Sequence, residues 1–380
     1  MKIQCDVIII GGGVAGLLIL NQLRLSGYSV LLLEKNALAQ GQTIASQGII
    51  HGGAKYALKG KLSEAAKTVS KMTQTWANYF SGQGSINLSE VKHLSEHHYL
   101  WSSGWGASFK NLLTSQVLSS ENRVLHKKDL PEIFQHSEFR GSLCELDECV
   151  LDVPSLVSEL ARPHRDYCLK IDESWIFDFQ GEKLLGIRAG EREFQAKKYV
   201  FTAGEGNEEF AARVGIGMQR RPLKMTWLKW DRSLPVFVHY VGGGIVPQFT
   251  ITTHPHPAGS VWVVGGGLAE TGVQRSDQAQ IQHVRQELMS KFSWIDFSKA
   301  EFGVFSINRA EQENGGKRPD TFFLQERGNC FYAWPTKLTL APALAEALKV
   351  ACSFSPSSLE GIEFLKQCNT VGQALAPWEC

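Results

Sequence analysis

The run DVIIIGGGVAG, residues 6–16, leaves few folds open to this chain. Its apolar, β-branched half predicts a strand buried on both faces of a parallel sheet. Gly11, Gly13 and Gly16 then stand in G-x-G-x-x-G register, Val14 to Ser26 reads as a helix ended by Gly27, and Ser29 to Leu33 reads as a second buried strand closing on Glu34. This is a βαβ unit. One glycine makes the tight turn, one lets the backbone approach a pyrophosphate, and one lets helix and strand pack closely. The free N–H groups and positive end of the helix, opening at Val14 and Ala15, would receive the pyrophosphate. Glu34, followed by Lys35, stands at roughly the 20-residue spacing from the glycines that suits an acceptor for a ribose diol.

With 380 residues the chain is expected to fold as two domains, or as one large domain with an inserted second one, and its 43% hydrophobic and 10% aromatic content is that of a globular protein. A formal net charge of +1 gives no electrostatic reason to expect a nucleic-acid partner. The eight cysteines (5, 144, 149, 168, 330, 352, 368 and 380) form no CxxC pair and no zinc-ligand spacing, so free thiols, no metal and a reducing cytoplasm are the expectation. No basic region precedes the first apolar run, and glycines break it, which argues against a signal peptide or a membrane span.

The glycine motif alone cannot choose between NAD and FAD. The next segment can, because after Lys35 the chain enters GQTIASQGIIHGGAKYALKG, a polar, small-residue stretch suited to backbone laid against a flat ligand. Ser46, Ile50, His51, Gly52, Gly53 and Tyr56 follow the order serine loop, I-H-G-G, aromatic. In this the chain resembles FAD-dependent oxidoreductases of the D-amino-acid oxidase superfamily, particularly the branch of glycerol-3-phosphate dehydrogenases and L-2-hydroxyglutarate oxidases. KYVFTAGEGN (198–207) is similar to the second flavin-contacting turn, through Ala203 and Gly204. WPTKLTLAPALAEAL (334–348) is similar to the last one, where the dehydrogenases carry G-K-x-T-T; Lys337 and Thr339 match, with Leu338 between. The resemblance implies FAD, with Thr43, Ser46, Gln47 and Gly48 in the loop beside it. Two departures stand out. Trp334-Pro335-Thr336 replaces the usual glycines, and Lys55 replaces an arginine, removing a bidentate fork for phosphate or carboxylate.

The implied fold is α/β: a discontinuous Rossmann-like FAD-binding domain (1–80, 150–215 and 319–352) and an α+β substrate domain on an antiparallel sheet (81–149 and 216–318). Residues 353–380 form an extension that packs on the surface or meets a partner. Asp152 followed by Val153-Pro154 reads as an N-cap and a first-turn proline.

A flavin carries the redox chemistry, and the protein supplies position, proton transfer and charge recognition. Oxidation beside an acid group needs the substrate C–H to face flavin N5 and a base to take the hydroxyl or ammonium proton. His51 is the leading base candidate; a structural hydrogen-bonding role and covalent attachment of FAD are its alternatives. His239, in PVFVHYV, alternates with apolar neighbours and could point into the site. His97-His98 and His254/His256 read as surface or loop residues. Arg309 is the preferred anion clamp, with Arg318 in competition, and Lys55 and Tyr56 could add charge and a hydroxyl. Trp101, Trp105, Trp227, Trp230 and Trp262 are expected in cores or lining the substrate domain.

The expected activity is oxidation of a small, anionic hydroxy acid, amino acid or polyol phosphate by hydride transfer to flavin N5. A flavoenzyme acting on a modified RNA base, and a flavin-binding protein with a decayed or regulatory site, are the alternatives. Oxygen, a quinone or a protein would reoxidise the flavin, and peripheral membrane contact stays open. Acid precipitation of the purified protein separates the base and covalent readings of His51: yellow colour moving to the supernatant would establish noncovalent FAD and leave His51 to act as base, and colour kept in the pellet would make His51 the first suspect for a covalent link.

Overall fold

The computed structural model describes residues 2–52, 64–103, 123–172, 174–231, 234–242, 246–366 and 368–379. The opening unit has strand β1 (Lys2–Ile10), helix α1 (Val14–Leu25) and strand β2 (Val30–Glu34). β1 lies in the middle of a sheet whose order is Phe323–Arg327, Cys330–Trp334, Arg192–Phe201, β1, β2, Cys168–Lys170. All neighbours in that row run parallel except the Phe323–Arg327 edge, and a hairpin of Ile176–Gln180 and Lys183–Ala189 adds antiparallel strands to Arg192–Phe201. β1 and β2 are buried on both faces, as continuous apolar runs require. α1 packs against the helices Val153–Ala161 and Ala341–Ala351. Asp152 caps the first of these by accepting from the Ser155 N–H at 3.2 Å, with proline in the first turn.

The second sheet runs Glu301–Gln312, Met218–Trp230, Gly259–Gly265, Phe249–His256, Val238–Gly242, His98–Ser102, Ser142–Leu146, Arg123–Val124. Its pairs are antiparallel with one exception, since Val238–Gly242 and His98–Ser102 are parallel; the expected wholly antiparallel sheet is a mixed one. Side chains of alternate positions divide between two cores. Leu228, Trp230 and Trp262 pack with Val284 and Leu288 of the helix Asp277–Lys291, while Met225, Val263, Phe305 and Ile307 join the core that contains α1. Two histidines read as surface residues are core residues. His98 and His254 sit at inward positions of their strands and are buried, whereas His97 is exposed.

Residues past the helix Ala341–Ala351 bind the first sheet at three places and the loop after β2 at a fourth. Ser357 reaches Asp6, Glu360 bridges Gln4, Thr370 bridges Leu169, and Gln373 bridges Leu38. Trp378 is then buried with its ring 4.6 Å from His254 and 6.4 Å from Phe305 of the second sheet. Burial pulls the pKa of His254 down to about 3.

Asp6 is fully buried at the base of β1. Its carboxylate accepts from Ser29 N and Oγ (3.0 Å each), Ser357 Oγ (2.6 Å) and Ser357 N (2.8 Å), and pairs with Lys197 at 2.7 Å. Burial alone would raise its pKa, but Lys197 and the Ser357 and Ser29 donors hold it down at about 2. A depressed carboxylate contributes stability above its unfolded pKa and loses it as pH falls through the folded one. Asp6→Asn should cost about 2 kcal/mol at neutral pH, with the difference shrinking as pH falls from 4 towards 2; urea titrations of both proteins across that range check it.

Candidate active site

The ends of β1, β2 and Arg192–Phe201 meet at the glycine loop. Gly11 N donates to Leu33 O at 2.8 Å and Thr202 N donates to Ile10 O at 2.8 Å, so Ala203 is pressed against Gly11. A Cβ on Gly11, whose φ is +108°, would fall 2.5 Å from Ala203 Cα; one on Gly16 would fall 2.1 Å from Gly11 O. Only glycine fits either place. α1 begins at Gly13 with no side-chain cap, and Val14 N donates to Thr43 Oγ1 at 3.1 Å. Glu34 accepts from Gly12 N at 2.7 Å and from Asn36 N at 2.8 Å; each of its oxygens keeps a further lone pair for a ribose hydroxyl. Lys35 is exposed beside it.

Past Thr43 the loop turns towards the second sheet. Ser46 Oγ is buried with no hydrogen-bond partner, which suits a polar edge of a ligand. The Gln47 amide donates to Thr250 O (3.1 Å), Thr252 Oγ1 (3.3 Å) and Val263 O (2.8 Å), so this side chain ties the loop to the sheet. Gly48 O accepts from Leu151 N and Ile50 N donates to Cys149 O, both at 2.9 Å. This antiparallel clasp centres on Ile49 and Val150 and sets His51 opposite Glu148. On the other side His51 N donates to Thr339 Oγ1 at 2.9 Å, and Thr339 O accepts from Trp76 Nε1 at 3.2 Å.

Glu148 joins two histidines. Its Oε2 lies 3.1 Å from His51 Nδ1 and 3.3 Å from His239 Nε2, its Oε1 accepts from Gly52 N at 3.3 Å, and His239 Nδ1 is 2.7 Å from Thr250 Oγ1. The His51 and His239 rings stack at 5.9 Å, and the His98 ring is 4.0 Å from His239. The three donor atoms lie within 4.8 Å of one another, close enough to share a cation, and the same atoms are matched as hydrogen-bond donors and acceptors without one. Glu148 escaped the sequence reading, where ELDECVLD showed only as acidic; its partners lie 97 and 91 positions away.

Arg309 stands elsewhere on the second sheet, four strand places from His239 and in register with Arg221. Arg221 is committed to Glu311 through two bonds of 2.6 and 2.7 Å. Arg309 Nη2 donates to Glu270 at 2.9 Å, while its Nε is buried with no partner. Burial, with the neighbouring Arg221 and Arg318 charges, lowers the Arg309 pKa from its ordinary value. A groove of about 380 Å³ opens here, lined by Arg220, Arg221, Glu270 and Arg309. Lys55 and Tyr56 lie outside the described residues.

The third expected cofactor segment is shaped without its usual glycines. Thr336 takes φ of +59°, a region that favours glycine, and its hydroxyl donates within the turn region to Thr321 O at 3.0 Å. Lys337 and Thr339 are buried and Leu338 packs on the core of α1. Gly204 O accepts from Trp334 Nε1 at 3.0 Å, linking the second and third segments.

Residues 6–349 match the family model DAO, FAD dependent oxidoreductase. The chain belongs to this family. Among DAO-family proteins it is 39% identical over 351 residues to the probable FAD-dependent oxidoreductase PA4991 of Pseudomonas aeruginosa, covering 90% of each chain. The crystal structure of PA4991 superposes with a TM-score of 0.86 at 34% identity, covering 100% of this chain and 98% of that one. Glycine oxidase from Bacillus cereus superposes at 0.68 with 14% identity, covering 92% and 94%. The dithionite-reduced L-α-glycerophosphate oxidase of Mycoplasma pneumoniae, with FAD bound, superposes at 0.64 with 15% identity, covering 99% of each. These last two share the fold.

The protein is thus an FAD-dependent oxidoreductase, and the glycine cradle, the uncapped helix end and the unpartnered Ser46 hydroxyl fit the cofactor. Among the described residues no helix is long and apolar enough to cross a membrane. Gly16→Ala, whose methyl has no room, should lose FAD; the flavin absorbance that stays with the protein through gel filtration measures it.

Proposed function

We propose that the protein oxidises a small anionic substrate, a hydroxy acid, amino acid or polyol phosphate, at the carbon bearing the hydroxyl or amine. FAD, when bound, accepts the hydride. His51 takes the hydroxyl or ammonium proton, and Arg309 binds the anionic end of the substrate. The observation that carries this reading is Arg309 itself: a guanidinium with a buried, unpartnered Nε, crowded by Arg221 and Arg318, beside a groove. An anion there would complete the donor set and offset the like-charge repulsion. Glu270, half exposed on a short helix, holds one nitrogen of Arg309 and leaves the other to a ligand. The neighbouring residues Phe305 and Ile307 face the core of α1, which supports a clamp directed at the cofactor side of the sheet.

Anaerobic addition of hydroxy acids, amino acids and glycerol phosphate to the yellow protein tests the reading. Bleaching by an anionic compound and not by its neutral ester or amide is expected; tightly held flavin that none of them bleaches would sink it. Arg309→Met should raise the apparent KM for that compound about 10- to 100-fold, the worth of one or two charge-assisted hydrogen bonds, with FAD retained. An unchanged KM would remove Arg309 from the site.

A further inference from the structure

We infer that Glu148 is a positioning residue that fixes the proton of His51 on Nδ1 and so leaves Nε2 as the base; the inference rests on the role given to His51 above.

An ionised carboxylate can only accept hydrogen bonds. Glu148 is 1% exposed, and its Oε2 faces His51 Nδ1 at 3.1 Å and His239 Nε2 at 3.3 Å, so both of those nitrogens must carry hydrogen. His239 then has its Nδ1 lone pair free to accept from the Thr250 hydroxyl at 2.7 Å, and Glu148 Oε1 accepts from Gly52 N at 3.3 Å. Every donor in this set meets an acceptor. The assignment gives His51 the Nδ1–H tautomer, with the Nε2 lone pair turned away from Glu148.

In the reaction the substrate's O–H or N–H proton passes to His51 Nε2 as the hydride leaves carbon. The resulting imidazolium keeps its Nδ1–H on Glu148, and a carboxylate in this dry setting stabilises that charge far more than one in water would. The His51 side chain is 27% exposed, which gives the proton a way back to solvent. Among the described residues, titratable groups beside the pair include His98, whose ring packs on His239, and Asp147, whose carbonyl backs Gly52. Glu148 is thus the part of the base that does not touch substrate, in the manner of carboxylates that orient a working imidazole.

The test is a long-range 1H–15N spectrum of the FAD-loaded protein labelled with 15N-histidine, recorded above the titration of the rings and assigned with His51→Gln and His239→Gln. His51 as Nδ1–H and His239 as Nε2–H are expected. In Glu148→Gln an amide oxygen in the place of Oε2 can still accept from both rings, so the test uses Glu148→Leu, which leaves neither ring nitrogen an acceptor; at least one of the two tautomers should change there, and Glu148→Asp should keep the original pair. Flavin reduction in Glu148→Gln should slow by about 10²- to 10⁴-fold, the usual span of general-base catalysis, with little change in apparent substrate affinity. His51 found as Nε2–H in the unmutated protein overturns the inference, and that reading needs no variant to fold. Unaltered histidine signals in Glu148→Leu overturn it as well. The expected tautomers in a protein whose flavin no small anion bleaches would overturn the substrate reading and leave the role of Glu148 in setting the tautomer standing.

Discussion

The antiparallel clasp between residues 48–52 and 147–151 rests on two backbone bonds, Leu151 N to Gly48 O and Ile50 N to Cys149 O. It is short, yet the rest of the site takes its coordinates from it. The register about Ile49 and Val150 decides that residue 51 meets residue 148, and a slip of one residue would turn His51 to the opposite side. The clasp also fixes the direction in which the loop leaves the glycine cradle, so the Gln47 amide can reach three acceptors on the second sheet. The loop after the glycine cradle and the second sheet are in this way joined by direct hydrogen bonds.

Local signals in the sequence were enough for the cofactor half. The glycine loop, β1, α1, β2 and the terminal Glu34 are all specified within some thirty residues, where period, turn chemistry and spacing act on neighbouring positions. The Asp152 cap is equally local. What could not be read depends on pairing at long range. Glu148 looks like any acid in ELDECVLD until the clasp brings it to His51. His98 and His254 look like polar loop residues because adjacent or alternating histidines carry no sign of which strand face is covered. The parallel pairing of His98–Ser102 with Val238–Gly242 is likewise a property of topology, since neither strand's own alternation states the direction of its neighbour.

The two departures from the family pattern, one in the third expected cofactor segment and one after the I-H-G-G run, differ in what replaces them. At Thr336 the backbone keeps a glycine-like φ and the threonine hydroxyl bonds into the surrounding turn, so the chain path survives the loss of glycine. Lys55 lies outside the described residues, and a lysine offers a point charge in place of the arginine's bidentate fork. On the second sheet Arg221, held by Glu311 through two nitrogens, is a fixed positive neighbour of Arg309, whose Nε is buried without a partner.

The carboxylate of Asp6 sits at the start of the central strand, and two of its donors come from Ser357, 351 positions further along the chain. During synthesis at roughly 5 to 20 residues per second, β1 therefore waits on the order of 20 to 70 s for the groups that satisfy its buried acid. Until then the first strand made carries an exposed charge where its sheet needs a closed, dry base. The earliest strand thus receives the last of its donors from one of the latest segments, and an incomplete chain holds Asp6 with the Ser29 donors alone among its serines.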